Sequence, residues 1–193
     1  MRLRITGQET VYSGWSKIIR AELAPTEGGT FFREIEHHGD AVAVLPYDPD
    51  RRCALLVATP RAPVIWAGGP PILIEAPAGM LEAGEPAEAC ARREAEEEVG
   101  VRLTALEPVA EAWSTPGVSS EKMALFLAPY AAADRVGDGG GLPEENELIE
   151  PVELPLAELW ARFEAGAVQD MKTLVLLLAL RHRQPELFAA AGG

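Results

Sequence analysis

The chain has 193 residues, 48% of them hydrophobic, and a formal net charge of −13. That length suits one ordinary domain with a small extension and can bury a substantial core. The acidic balance argues against a nucleic-acid backbone or an anionic membrane as partner, but it leaves phosphate-bearing small molecules open if metal ions supply positive charge.

Cys53 and Cys90 are the only cysteines. Two isolated thiols fit a reducing cytoplasm better than a disulfide scaffold or a zinc site, and Cys90 reads as a packed core thiol. The amino terminus has no apolar signal region, and the longest apolar run, Leu174 to Leu180, is too short to span a bilayer.

In chain order, residues 10–23 predict a strand. Pro25, Gly28 and Gly29 mark a turn, and Thr30 to His37 read as the returning strand of a hairpin. Such a hairpin cannot bury both faces alone and needs its own domain or another subunit as cover. Strands are predicted over Ala41–Leu45, Ala54–Ala58 and Ile72–Glu75, with a turn at Asp48–Arg51 and a loop over Ala76–Gly79. Pro86 is placed as the first residue of a helix running to Val99, with Gly100 as its left-handed stop. Ala87, Ala91, Ala95 and Val99 make a small-residue packing stripe on that helix.

Strands follow over Val101–Trp113 and Lys122–Leu127, around a Ser114–Gly117 turn. A glycine-rich stretch (residues 131–143) and the acidic run Glu144–Glu147 come next, then a strand over Ile149–Leu154. Leu156, Leu159, Trp160 and Phe163 repeat at helical spacing, and that helix closes near Gly166. Asp170 is placed to cap a last helix from Met171 to about His182, and the tail from Ala189 to Gly193 should fray. Mixed strands flanked by helices imply an α/β or α+β sandwich.

The chemistry concentrates on the helix after Pro86. Glu94, Glu97 and Glu98 sit at i, i+3 and i+4 and share one face, where like charges repel. The basic residues Arg92 and Arg93 precede this cluster. A hard divalent cation such as Mg²⁺ would relieve the repulsion; without a wider pattern, a solvated acidic face would be the simpler reading. The wider spacing is Gly-x5-Glu-x7-Arg-Glu-U-x-Glu-Glu-x-Gly-U, with U apolar, filled by Gly79, Glu85, Arg93, Glu94, Ala95, Glu97, Glu98, Gly100 and Val101. It resembles the signature of the Nudix family at every defined position.

The resemblance implies the Nudix fold, a mixed sheet held between helices, here with an N-terminal β-hairpin extension over 1–39 and the hydrolase domain over 40–193. It implies metal-dependent hydrolysis of a nucleoside diphosphate linked to another moiety. Glu94, Glu97 and Glu98 resemble the ligand glutamates, with the Ala78 carbonyl as a further ligand and Mg²⁺ or Mn²⁺ as the cation. Glu85 and Arg93, with Gly79, resemble the pair and glycine that set the loop against the helix; Glu96 falls at a variable, solvated position.

Roughly residues 10–183 are similar to the ADP-ribose and nucleotide-sugar pyrophosphatase branch. The matching pieces include Arg33-Glu34, Leu45-Pro-Tyr-Asp-Pro49, Glu75-Ala-Pro-Ala-Gly79 and Glu145-Asn-Glu147. Pro116 lies 16 residues past Gly100, an offset that resembles ADP-ribose pyrophosphatases. Asp170-Met-Lys-Thr, Glu121-Lys122 and Gly139-Gly-Gly141 resemble GDP-mannose pyrophosphatases instead. One departure is Thr59-Pro60 ahead of Arg61, which bears on the local loop path.

By the same resemblance, the general base lies on the acidic loop, at Glu147 ahead of Glu145. Trp15 and Arg33 sandwich the base of the nucleotide, with buried sheet packing as the other reading of Trp15. Arg61 contacts the diphosphate or terminal sugar, with an ion pair as its alternative, and Glu121 contacts ribose or a metal. His37, His38 and His182 show no ligand spacing and are assigned no chemistry. The N-terminal strands are expected to exchange across a homodimer. The leading reading is ADP-ribose cleaved to AMP and ribose 5-phosphate, with GDP-mannose as the alternative substrate. A non-catalytic nucleotide-sugar sensor and an RNA-cap or dinucleoside-polyphosphate hydrolase are the remaining alternatives; the retained glutamates argue against the first and the missing basic groove against RNA.

Overall fold

The computed structural model describes residues 2–142 and 147–189. The predicted fraying of 190–193 and the Glu145 position lie outside them. The chain divides into two compact units, residues 1–41 with 111–123 and residues 42–110 with 124–193.

The first unit is a meander of three antiparallel strands, β1 (Leu3–Ser13), β2 (Lys17–Pro25) and β3 (Phe31–His37). The expected hairpin is present as β2 and β3, but the single strand expected over 10–23 is not. Its chain reverses at Gly14-Trp15-Ser16, where the Gly14 amide donates to the Ser16 carbonyl at 3.0 Å. Apolar side chains on both sides of the turn hid it from the sequence pattern. Leu3, Ile5, Val11, Tyr12 and Phe32 are exposed on this layer.

The second unit is built on a sheet of order β10-β5-β4-β9-β8, from β10 (Glu150–Pro155), β5 (Cys53–Thr59), β4 (Ala41–Asp48), β9 (Lys122–Pro129) and β8 (Glu107–Trp113). Two short strands, β6 (Leu73–Glu75) and β7 (Ala78–Met80), pair with β5 and β4. Alternation along β4 and β5 sends Val42, Val44, Leu55 and Val57 to one face, where they pack with Cys90, Ala91, Ala95 and Val99 of helix α2 (Ala87–Val99). Ala43, Leu45 and Leu56, on the opposite face, are also fully buried. Tyr47 shares that opposite face of β4 and accepts a 2.6 Å hydrogen bond from Gln184, at the end of helix α4 (Met171–Arg183). The predicted sandwich of helix, sheet and helix is therefore present.

Helix α3 (Leu156–Glu164) and α4 follow the sequence pattern closely. Asp170 caps α4 by accepting from the Thr173 amide at 3.0 Å. Three expectations shift. Pro86 is the N-cap of α2, with ψ at 140°, and not its first helical residue. The strand expected from Val101 starts only at Glu107, because Val101 and Leu103 turn into the core and the Arg102 amide bonds the Asp134 carbonyl. Part of the loop expected over 76–79 is strand β7. A five-residue helix, α1 (Ala62–Trp66), was too short to leave a periodic signal. Among the described residues, no helix is long and apolar enough to cross a membrane.

Candidate active site

The loop from Ala76 to Glu85 and helix α2 hold the acidic cluster. Gly79 is a steric requirement, since a Cβ there would overlap the Glu94 carboxylate. Glu94 and Glu98 are only 6% and 3% exposed, so their charges are largely cut off from water. Burial pushes Glu94 up to about 7, Arg93 pulling against it and the Glu97 and Glu147 charges adding to it. Burial likewise pushes Glu98 up to about 8, against the Ala78 amide that donates to its Oε2 at 2.9 Å, and with added repulsion from Glu94 and Glu147.

Arg93 precedes the acidic cluster in sequence, yet it partly neutralises it. Its fork grips Glu85 through Nε and one terminal nitrogen, each at 3.1 Å, and the other terminal nitrogen reaches Glu94 at 2.7 Å and Glu97 at 3.0 Å. The first pair ties the loop to the helix in bidentate geometry. Arg93 holds the Glu85 carboxyl down at about 2. Arg92 turns away to the Leu103 carbonyl, and Glu96 is exposed beside Arg102.

The carboxyl end of α2 is closed by more than Gly100, whose φ of 64° makes the expected left-handed stop. Gly100 and Val101 donate to the Glu96 and Ala95 carbonyls, each at 3.1 Å. The next two carbonyls are taken by a distant segment: Gly141 donates to Glu97 at 3.0 Å and Gly140 to Glu98 at 2.9 Å. From that segment, Leu142 donates its amide to Glu147 at 2.9 Å.

The donor set fits a hard divalent cation. It is all oxygen, largely buried and short of positive charge. Among the described residues, no group of three or more His, Cys, Asp or Glu side chains has closed to metal-holding distance, and Arg93 occupies Glu94 and Glu97. Among the described residues of the cluster, Glu94 and Glu98 combine burial with a raised proton affinity.

Arg61 is committed to an ion pair. It grips Glu75 at 2.9 and 2.8 Å, and Lys172 joins the same carboxylate and reaches Asp170 at 2.9 Å. Although burial pushes Glu75 up, these two cations hold it below the usual carboxylate range. Thr173 accepts from the Ala76 amide at 2.7 Å, so the network also pins the start of the site loop. Sequence reasoning missed this role for Glu75, Lys172 and Asp170. The only signal was an acidic residue ending an apolar strand.

In the first unit, Trp15 is 79% exposed and is not packed within its own chain's sheet. Its ring stacks on His38 at 5.0 Å and 24°. His38 bridges Glu36 at 2.7 Å and Glu121 at 3.0 Å, and Ser119 donates to Glu36 at 2.7 Å. Arg33 lies over the Phe31 ring at 4.7 Å. His38 thus has a structural role that its sequence spacing did not reveal. Burial lowers the His38 pKa, but the Glu36 and Glu121 carboxylates outweigh it and the net shift is upward. The protonated ring therefore contributes stability that is complete below the unfolded value and lost as pH rises through the folded one. An NMR titration of the His38 ring protons is expected to give a midpoint above 6.5; a midpoint below it would refute the carboxylate clamp.

Comparison with known proteins bears on family and fold. A family profile described as NUDIX domain matches residues 37–177. The GDP-mannose pyrophosphatase of Cronobacter sakazakii is 40% identical over 153 residues, covering 78% of each chain. That of Yersinia enterocolitica is 37% identical over 146 residues, covering 75% of each. The crystal structure of an ADP compounds hydrolase superposes with a TM-score of 0.76 over 96% of each chain at 20% identity, a likeness of fold.

Proposed function

The chain belongs to the Nudix family, and on that premise we propose that it hydrolyses the diphosphate of a nucleoside diphosphate sugar. The products are a nucleoside monophosphate and a sugar phosphate. The observation that carries this reading is the pair Glu94 and Glu98, buried on one helix face and raised above the carboxylate range. GDP-mannose is the first substrate to test, given the relatives at 40% and 37% identity. ADP-ribose is the second, favoured by Pro116 at its offset of 16 from Gly100.

Glu94 and Glu98, with Glu97 and the Ala78 carbonyl, would hold Mg²⁺ or Mn²⁺. A bound divalent cation supplies charge neutralisation for the diphosphate and polarisation of water. Glu147 takes the proton of the attacking water, with Glu145 as the other candidate. Gly79, Glu85 and Arg93 fix the loop against α2. Trp15 and Arg33 stack on the nucleotide base, Arg61 meets the diphosphate or sugar from its pair with Glu75, and Glu121 bonds the ribose. The exposed apolar strands of residues 1–39 support an extension that is covered in a homodimer with exchanged strands. The buried free thiols Cys53 and Cys90 support a reducing, cytoplasmic setting.

A phosphatase-coupled release assay tests the function. GDP-mannose, ADP-ribose, ADP-glucose and a dinucleoside polyphosphate are each given with Mg²⁺ and with chelator. The expected result is rapid turnover of one nucleotide sugar that chelator abolishes. Tight binding without turnover of any compound would replace the enzyme with a nucleotide-sugar sensor. Sedimentation at twice the mass of one chain is the expected result for the dimer.

A further inference from the structure

The glycine-rich segment 137–141 reads in the sequence as a pliable loop, but the structure fastens it to the helix that carries the acidic cluster. Gly139, Gly140 and Gly141 have φ of 72°, 108° and 75°, a run in the left-handed region that L side chains rarely adopt. This path presents the Gly140 and Gly141 amides to the carbonyls of Glu98 and Glu97, at 2.9 and 3.0 Å. The approach leaves no room for side chains. A Cβ on Gly139 would overlap the Glu98 carbonyl and lie 2.7 Å from the Val99 Cα. A Cβ on Gly141 would overlap the Glu147 carboxylate and lie 3.0 Å from the Glu147 Cβ. Gly137, by contrast, has open space where its Cβ would stand.

We infer that Gly139 and Gly141 are positioning residues for the reaction: seating this segment on the carboxyl end of α2 holds Glu147 at the acidic cluster. The inference rests on the reading of Glu147 as general base. Two contacts connect the latch to that carboxylate. Leu142, the residue after the latch, donates its amide to Glu147, and the surface of Gly141 forms the wall against which Glu147 lies. The carbonyls gripped by the latch belong to Glu97 and Glu98, so one set of hydrogen bonds fixes the ligand-bearing turn and the base together.

The test is a mutant cycle of Glu147→Gln, Gly139→Ala and the double variant, with Gly137→Ala as the neighbouring control. For each, kcat and KM on the nucleotide sugar found in the release assay are measured with saturating Mg²⁺, together with a thermal melt. Glu147→Gln is expected to lower kcat by about 10²–10³-fold. Gly139→Ala is expected to lower kcat by about 10–100-fold with KM within about threefold, and to cost nothing further in the Glu147→Gln background. Gly137→Ala is expected to keep the wild-type rate. Losses that multiply in the double variant, or a loss in Gly137→Ala equal to that in Gly139→Ala, would overturn the latch while leaving Glu147 as base. A wild-type rate in Glu147→Gln would remove the base reading itself, and the inference with it. Should Gly139→Ala fail to fold, Gly141→Ala takes its place in the cycle, because the atoms nearest its new methyl belong to the Glu147 and Ile149 side chains and not to backbone.

Discussion

Glu98→Gln is expected to lower turnover at least about 10³-fold while raising the melting temperature of the metal-free protein. The two effects have one cause. Glu98 is 3% exposed and faces the charges of Glu94 and Glu147, with the Ala78 amide as its hydrogen-bond donor. Burial pushes its carboxyl up to about 8, so between the unfolded value and pH 8 the folded state binds a proton the unfolded state does not. Without metal, stability therefore falls as pH rises through that window. A neutral amide keeps the acceptor for Ala78 and removes the charge. On the order of 1–3 kcal/mol should be regained near pH 7, since each tenfold gain in proton affinity corresponds to about 1.4 kcal/mol. Calorimetry in chelator, paired with the release assay, measures both. A melting temperature that falls, or turnover that persists, would remove Glu98 from the ligand set.

Glu75→Ala is expected to be the most destabilising single substitution at the site, by about 3 kcal/mol, because it strands Arg61 and leaves Lys172 with Asp170 alone around an empty carboxylate position. Glu75 is 1% exposed, so little water can replace its oxygens. The Arg61 end is more open to solvent, which keeps the loss in the lower part of the range of about 3–5 kcal/mol for broken buried pairs. Urea unfolding measures it. Adding Lys172→Met to Glu75→Ala should recover part of the loss, since the buried ammonium left with one carboxylate in place of two is then gone; strictly additive losses would show that the two side chains are not coupled.

The sequence exposed whatever short-range geometry dictates. The i, i+3, i+4 spacing of Glu94, Glu97 and Glu98 places them on one face of any helix, and Gly100 and Asp170 act on backbone atoms a few residues away. The reversal at Gly14 was lost because Tyr12 and Ile18 keep the apolar character of a continuous strand. Long-range side-chain pairings left no periodic trace. Lys172 meets Glu75 across 97 positions, and His38 meets Glu121 across 83. Arg93 shows a subtler limit. Its place ahead of the glutamates suggested that it could not relieve them, but a long side chain with a forked end reaches both the next residue and the next turn.

The position of the glutamates along α2 has a consequence of its own. Peptide dipoles aligned in a helix leave about half a negative charge at its carboxyl end, where cations are favoured and anions are not. Glu97 and Glu98 lie in the final turn of α2, which contains no basic residue. The peptide dipoles and the side chains therefore attract a cation to the same place. The same carboxylates set near the amino end of α2 would make a calmer helix and a poorer trap.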